Sequence, residues 1–423
     1  MSTRREFLQH ATQGAVTWTA LSWTPGADGA PSGVDFTEAP PPAPPPAAAS
    51  DIGSLYPFVQ SQAVKGECRL SFLQARFADV KAWKQEARGR LLDLLHYAPA
   101  PCEPRAETLE RVDRGDYIEE RVEFNTTPDI RVPAFVLIPK GARFPAPGIV
   151  ALHDHGGFYF WGKEKLVEQG DEHPVLTGFK RQYYSGRSIA SDLARAGYVV
   201  VVIDMFYWGE RRMLLADDAA DWRERPRNVT AERIAAFNRR SSDGEQLVGR
   251  TIFAAGFTWA GVMFWDDVRT VDYLLRRPEV DPSRIGCVGL SMGGLRTVHL
   301  AALDDRIKAA VAVGWMASFP AQLESHIKNT IGHTKLVPGL YRDLDYPDVA
   351  SLALPTPLLV INGSKDALFE LSGVRASFDK LAACYAKAGV PERVRTRLYD
   401  TPHEFNAEMQ AEAWAWLARH LAA

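Results

Sequence analysis

The chain has 423 residues, 46% hydrophobic and 24% charged, with a net charge of −3. That length holds one large domain with extensions or two modest ones, and the near balance of charge gives no electrostatic footprint for nucleic acid. After the N-terminus no run of 18 apolar residues marks a membrane span. Four scattered cysteines without a CxxC pair argue against a zinc site or a disulfide framework, with a Cys68–Cys102 bridge left open if the protein is exported.

In chain order, the start reads "MSTRREFLQHATQGAVTWTALSW". Arg4-Arg5, then Phe7-Leu8, then an acid-free apolar stretch to Trp23 resemble the twin-arginine export signal of bacteria. Residues 1–30 are therefore expected to direct a periplasmic or secreted protein. Residues 31–50 contain "APPPAPPPAAAS", whose fixed proline φ favours an extended spacer, so they read as a linker. Residues 51–115 read as an N-terminal helical extension, because "FADVKAWKQEARGRLLDLLHY" has helical apolar spacing.

From residue 116 to 423 the pattern predicts one large folded domain. "DYIEERVEFNT" and "IRVPAFVLIP" read as a strand hairpin. Beyond Pro147, strand and helix alternate. "GIVALHD", "VVVVIDMF", "RIGCVGLS", "IKAAVAVGW", "PLLVING" and "VRTRLYD" are strands, and helical patterns lie between them and after the last. The central strands are apolar without period two, so the fold class is α/β, a mostly parallel sheet with helices on both faces. Two long segments, 207–260 and 316–355, interrupt this alternation, and segments of that length usually order over a site.

Ligands of an open α/β sheet bind at the carboxyl ends of its strands. Ser291 follows "RIGCVGL", Asp366 follows "PLLVINGSK", and His403 lies in "TPHEF" after the last strand. A serine hydroxyl needs a base within hydrogen-bond reach. The imidazole of His403 can serve as that base, and Asp366 would orient it and stabilise the imidazolium. Asp204, which ends "VVVVID", is the rival acid.

Gly289-Leu290-Ser291-Met292-Gly293 matches the Gly-x-Ser-x-Gly nucleophile elbow, and the order Ser, Asp, His is that of the α/β-hydrolase superfamily. "LHDHGGFYFWGKEK", "DMFYWGER", "RPEVDPSRIGCVGLSMGG" and "LLVINGSKDALF" resemble the dienelactone-hydrolase-like and acetyl-xylan-esterase-like bacterial hydrolases. Dienelactone hydrolases in the strict sense carry Cys where this elbow carries Ser291. The resemblance implies a serine esterase working through an acyl-enzyme on a small or polymer-borne ester, without cofactor or metal.

One oxyanion donor would be the Met292 amide. The second would come from the loop after "GIVAL", with His155 as first choice by resemblance and Gly156 as second. Phe158, Tyr159, Trp161, Trp208 and Trp315 cluster at strand ends and are candidates to line a substrate pocket. A serine peptidase of the same fold is one alternative. A hydrolytic metal on His153 and His155 is another, although no HxHxDH or HExxH pattern supports it. A binding protein that has lost catalysis would lack a triad member, and none is missing.

Overall fold

Alternating strands and helices build one nine-stranded sheet in the computed structural model, which describes residues 50–422. The twin-arginine and linker readings fall at 1–49, outside the described residues. The strands are β1 (Glu107–Asp113), β2 (Tyr117–Thr127), β3 (Ile130–Pro139), β4 (Ala146–Leu152), β5 (Val199–Ile203), β6 (Val280–Leu290), β7 (Ile307–Val313), β8 (Leu358–Gly363) and β9 (Val394–Tyr399). Their order across the sheet is β1-β2-β3-β5-β4-β6-β7-β8-β9. β1, β2, β3 and β5 pair antiparallel, and every pairing from β5 through β4 to β9 is parallel.

The parallel part is the core. "VVVVI" of β5 and "LLVING" of β8 are buried at every position, as apolar runs flanked by helices on both sides should be. Several helices start at side-chain caps that satisfy free amides of their first turn. Thr258 caps Trp259–Leu274, and Asn406 caps Ala407–Leu421. Because the parallel strands share one direction, their carboxyl ends lie along one edge, and the loops carrying Ser291, Asp366 and His403 all leave from that edge.

Two elements differ from the sequence expectation. Residues 107–113, read as part of a helical extension, form edge strand β1, paired to β2 and exposed at nearly every position. An edge strand wetted on both faces has no alternation to betray it. The segment 207–260 is not mainly loop either, since it contains the 24-residue helix Ala231–Ala254.

The helix Val80–Leu95 does form in the N-terminal extension. Trp83 is buried there, its Nε1 donating to the Leu70 carbonyl at 2.7 Å. Lys84 and Arg88 both reach Asp305, and Arg69 and Arg90 both reach Asp343, so the extension is tied to the catalytic domain. All four cysteines are free thiols, so Cys68 and Cys102 do not pair. Among the described residues no single helix is long and apolar enough to cross a membrane.

Candidate active site

The elbow is a backbone feature before it is a chemical one. Ser291 sits at φ 60° and ψ −120° between β6 and the helix Met292–Leu303. A non-glycine residue with positive φ is strained by about 1–3 kcal/mol, so the packing around it must hold it there. A Cβ on Gly293 would stand 1.9 Å from the Leu152 carbonyl oxygen, and one on Gly289 would stand 2.5 Å from the same atom. Both obstacles are backbone, which cannot swing aside. The two glycines let helix, β6 and the end of β4 close around Ser291, whose amide donates to the Val313 carbonyl at 2.8 Å.

Beyond β9, His403 Nδ1 lies 2.6 Å from Asp366 Oδ2. Asp366 is buried while the imidazole is partly exposed. The other carboxylate oxygen of Asp366 accepts the Leu368 amide at 3.0 Å, which fixes the group's orientation. A neutral imidazole bonded to a carboxylate through Nδ1–H keeps Nε2 as its free base. Gly314, which follows β7 at φ 59°, is the floor of this histidine, since a Cβ there would meet the ring at 3.0 Å.

Asp204 is placed differently. It is wholly buried and accepts the Lys163 amide (2.7 Å), the Lys163 ammonium (2.7 Å) and the Glu210 amide (2.9 Å). Side chains on Gly162 or Gly209 would collide with its carboxylate at 2.2 Å. Burial alone would lower the Lys163 pKa, but the surrounding carboxylates outweigh it and hold the ammonium above its ordinary value. Burial likewise pulls Glu210 upward, yet Lys163 and Arg121 win and set its pKa at about 2. Asp204 thus anchors a buried ion-pair cluster, and Asp366 is the carboxylate bonded to His403.

The loop after β4 begins with His153, whose Nδ1 lies 2.9 Å from the Asp154 carbonyl and whose Nε2 accepts the Met205 amide at 3.0 Å. Burial, helped by Lys165 and Arg296, pushes its pKa well below the usual range, so it is neutral. His155 Nδ1 accepts the Gly157 amide at 3.0 Å, which leaves Nε2–H to donate to Glu245 at 2.7 Å. Both rings have committed both nitrogens to protein partners. Among the described residues no group of three or more His, Cys, Asp or Glu side chains is placed to hold a metal. The amides of Met292, His155 and Gly156 take part in none of the hydrogen bonds among the described residues.

The aromatic residues divide by position. Tyr159 stacks on Trp208 at 4.8 Å, and its hydroxyl donates to Glu245 at 2.8 Å. Trp208 donates from its indole to the His155 carbonyl at 3.2 Å. Phe158 stacks on Phe179, and Trp161 packs against Phe158 and Phe160. All four are buried in aromatic packing in and around the loop. Trp315 packs on Tyr346 and Phe369. Tyr346 and Phe319 go on to line an apolar cavity of about 330 Å³ with Phe58, Leu336 and Tyr341.

Sequence reasoning missed the helix that braces this loop. Asn238 Oδ1 accepts the Tyr159 and Phe160 amides at 2.9 and 3.1 Å. Glu245, two helical turns further on, takes His155 and Tyr159. The seven-residue spacing puts both on one helix face, a signal readable once the segment is known to be helical.

The sheet order, the elbow and the histidine–aspartate pair at its carboxyl edge define an α/β-hydrolase. The chain belongs to the Abhydrolase family, whose model matches residues 56–416. YtaP of Bacillus subtilis (strain 168), a candidate hydrolase, is 28% identical over 338 residues, covering 80% of this chain and 100% of YtaP. Among solved structures, a candidate acetyl xylan esterase from Bacteroides fragilis NCTC 9343 is similar at TM-score 0.64 and 20% identity, covering 81% of each chain. A glucuronoyl esterase from Solibacter usitatus is similar at TM-score 0.58 and 16% identity, covering 86% of this chain and 100% of that one.

Proposed function

We propose that the protein is a serine esterase that cleaves carboxylic esters carried by carbohydrate, working outside the cytoplasm after twin-arginine export. The observation that carries the catalytic part is the 2.6 Å bond between His403 Nδ1 and Asp366 Oδ2 at the sheet edge where the elbow presents Ser291. The carbohydrate part draws on the esterases of similar fold, and the export part on Arg4-Arg5 and the apolar stretch behind them.

Ser291 Oγ attacks the ester carbonyl carbon while its proton passes to His403 Nε2. The carbonyl oxygen becomes an oxyanion and takes hydrogen bonds from the Met292 amide and from the His155 or Gly156 amide. Asp366 keeps Nδ1 protonated and offsets the charge of the imidazolium. When the tetrahedral species collapses, the C–O bond to the alcohol breaks, and the leaving oxygen takes the proton from Nε2. Water then attacks the acyl-enzyme by the same route, releasing the acid and restoring Ser291. Preorganised amides stabilise an oxyanion without reorganising, and each such donor contributes about 10²–10³ in kcat.

A substrate panel tests this reading: acetylated xylan oligomers, alkyl esters of glucuronic acid, p-nitrophenyl acetate and peptidyl p-nitroanilides. Turnover of the esters without turnover of the anilides is expected. Anilide cleavage matching ester cleavage would identify a peptidase of the same fold instead.

A further inference from the structure

We propose that the buried Lys165 is a positioning residue for the oxyanion site, aiming the His155 and Gly156 amides of the loop after β4; this rests on the esterase reading above. Lys165 is wholly buried. Its ammonium has three protons and three acceptors: the Asp154 carbonyl at 2.9 Å, the His155 carbonyl at 3.1 Å and Asp154 Oδ2 at 3.3 Å. A single side chain thus holds two consecutive peptide carbonyls.

The consequence follows from peptide planarity. In a trans peptide the C=O of one residue and the N–H of the next point in opposite directions, and the Asp154–His155 and His155–Gly156 bonds are both trans. Drawing the Asp154 carbonyl onto Lys165 turns the His155 N–H the other way. Drawing the His155 carbonyl onto Lys165 does the same for the Gly156 N–H. Neither of these two amides has a partner among the described residues. The start of the loop presses on the elbow, because a Cβ on Gly293 would meet the Leu152 and His153 carbonyl oxygens at 1.9 and 3.3 Å.

A compact ammonium suits this task better than a planar guanidinium, because its three donors diverge from one point. Its charge also polarises both peptide units, which makes their N–H groups better donors to a developing anion. Asp154 neutralises the ammonium and is itself held by the Tyr184 hydroxyl at 2.5 Å. The Trp208 indole supports the same His155 carbonyl from a second direction. Lys165 touches no reacting atom, so its effect should appear in the transition state and not in ground-state binding.

The test uses the full chain and p-nitrophenyl acetate. Lys165→Met keeps an apolar stem and removes all three donors. In a cooperatively melting protein, kcat should fall about 10²-fold or more with KM within about threefold of the parent. The double variant Lys165→Met/Asp154→Asn removes the unpaired buried carboxylate and should show the same split. If a folded Lys165→Met or double variant keeps kcat within about threefold, or loses activity through KM alone, the proposal is overturned. Should neither fold, Trp208→Phe decides, since it removes the indole donor to the His155 carbonyl while keeping an aromatic ring against Tyr159. A several-fold fall in kcat at unchanged KM supports the proposal, and an unchanged kcat overturns it. An active Ser291→Ala would instead overturn the esterase reading itself. An inactive Ser291→Ala beside a fully active Lys165→Met would remove only the present inference.

Discussion

Ser291→Ala is expected to lower kcat on an activated short-chain ester by about 10³-fold or more while leaving the melting transition close to that of the parent. Ser291 is the only side chain presented by the elbow, and alanine keeps the backbone geometry while removing the attacking oxygen. The strain at φ 60° is set by Gly289 and Gly293 closing on the Leu152 carbonyl. It does not depend on the hydroxyl, so stability should change little. Steady-state kinetics on purified protein, with a melting curve beside them, check both halves. Activity within about tenfold of the parent would assign the chemistry to another group.

Asp366→Asn should cost on the order of 10³–10⁴ in kcat, whereas Asp204→Asn should act mainly on stability. In the proposed mechanism the carboxylate of Asp366 would do two things an amide cannot: fix the His403 tautomer with Nδ1 protonated and offset the imidazolium charge. An asparagine turned to donate its NH₂ to Nδ1 would leave the proton on Nε2, where it blocks the base. Asp204 faces Lys163 and the Glu210 amide. Removing its charge leaves the Lys163 ammonium buried and undercompensated, and breaking a buried pair costs about 3–5 kcal/mol. The contrast is read by comparing kcat and melting temperature of the two variants. A folded, crippled Asp204→Asn beside a normal Asp366→Asn would reverse the assignment.

The site residues differ in how far the sequence exposes them. Ser291 and Asp366 follow apolar strand patterns and His403 follows the alternating strand "VRTRLY", so their common edge could be inferred without coordinates, and the two glycines carry the steric logic of the elbow. Chain order favours Asp366 over Asp204 as the acid, but the partners of each carboxylate are not legible in the sequence. Both end buried strands, and what separates them is their partners, Lys163 on one side and His403 on the other. The "GKEK" segment was opaque for a related reason. Consecutive charged residues normally face water, yet Lys163, Glu164 and Lys165 are all buried. Their counter-charges come from Asp204 just after β5, from the loop after β4 and from Arg225, contacts that local pattern does not encode. β1 was hidden because both of its faces are wet. The helix Ala231–Ala254 was hidden because its composition is that of a solvated insertion, while the two side chains that matter, Asn238 and Glu245, reach partners 78 to 90 residues away.

The most direct test of the account is to trap the covalent intermediate. The full chain is mixed with a slowly deacylating p-nitrophenyl ester, quenched in acid during the p-nitrophenolate burst, digested and read by mass spectrometry. The account predicts one acyl group on the peptide containing Ser291, formed at the rate of the burst, unaffected by chelator and absent from His403→Ala. A parent enzyme that turns over the ester with no burst and no acyl mass on Ser291, or that loses activity to chelator, would contradict it.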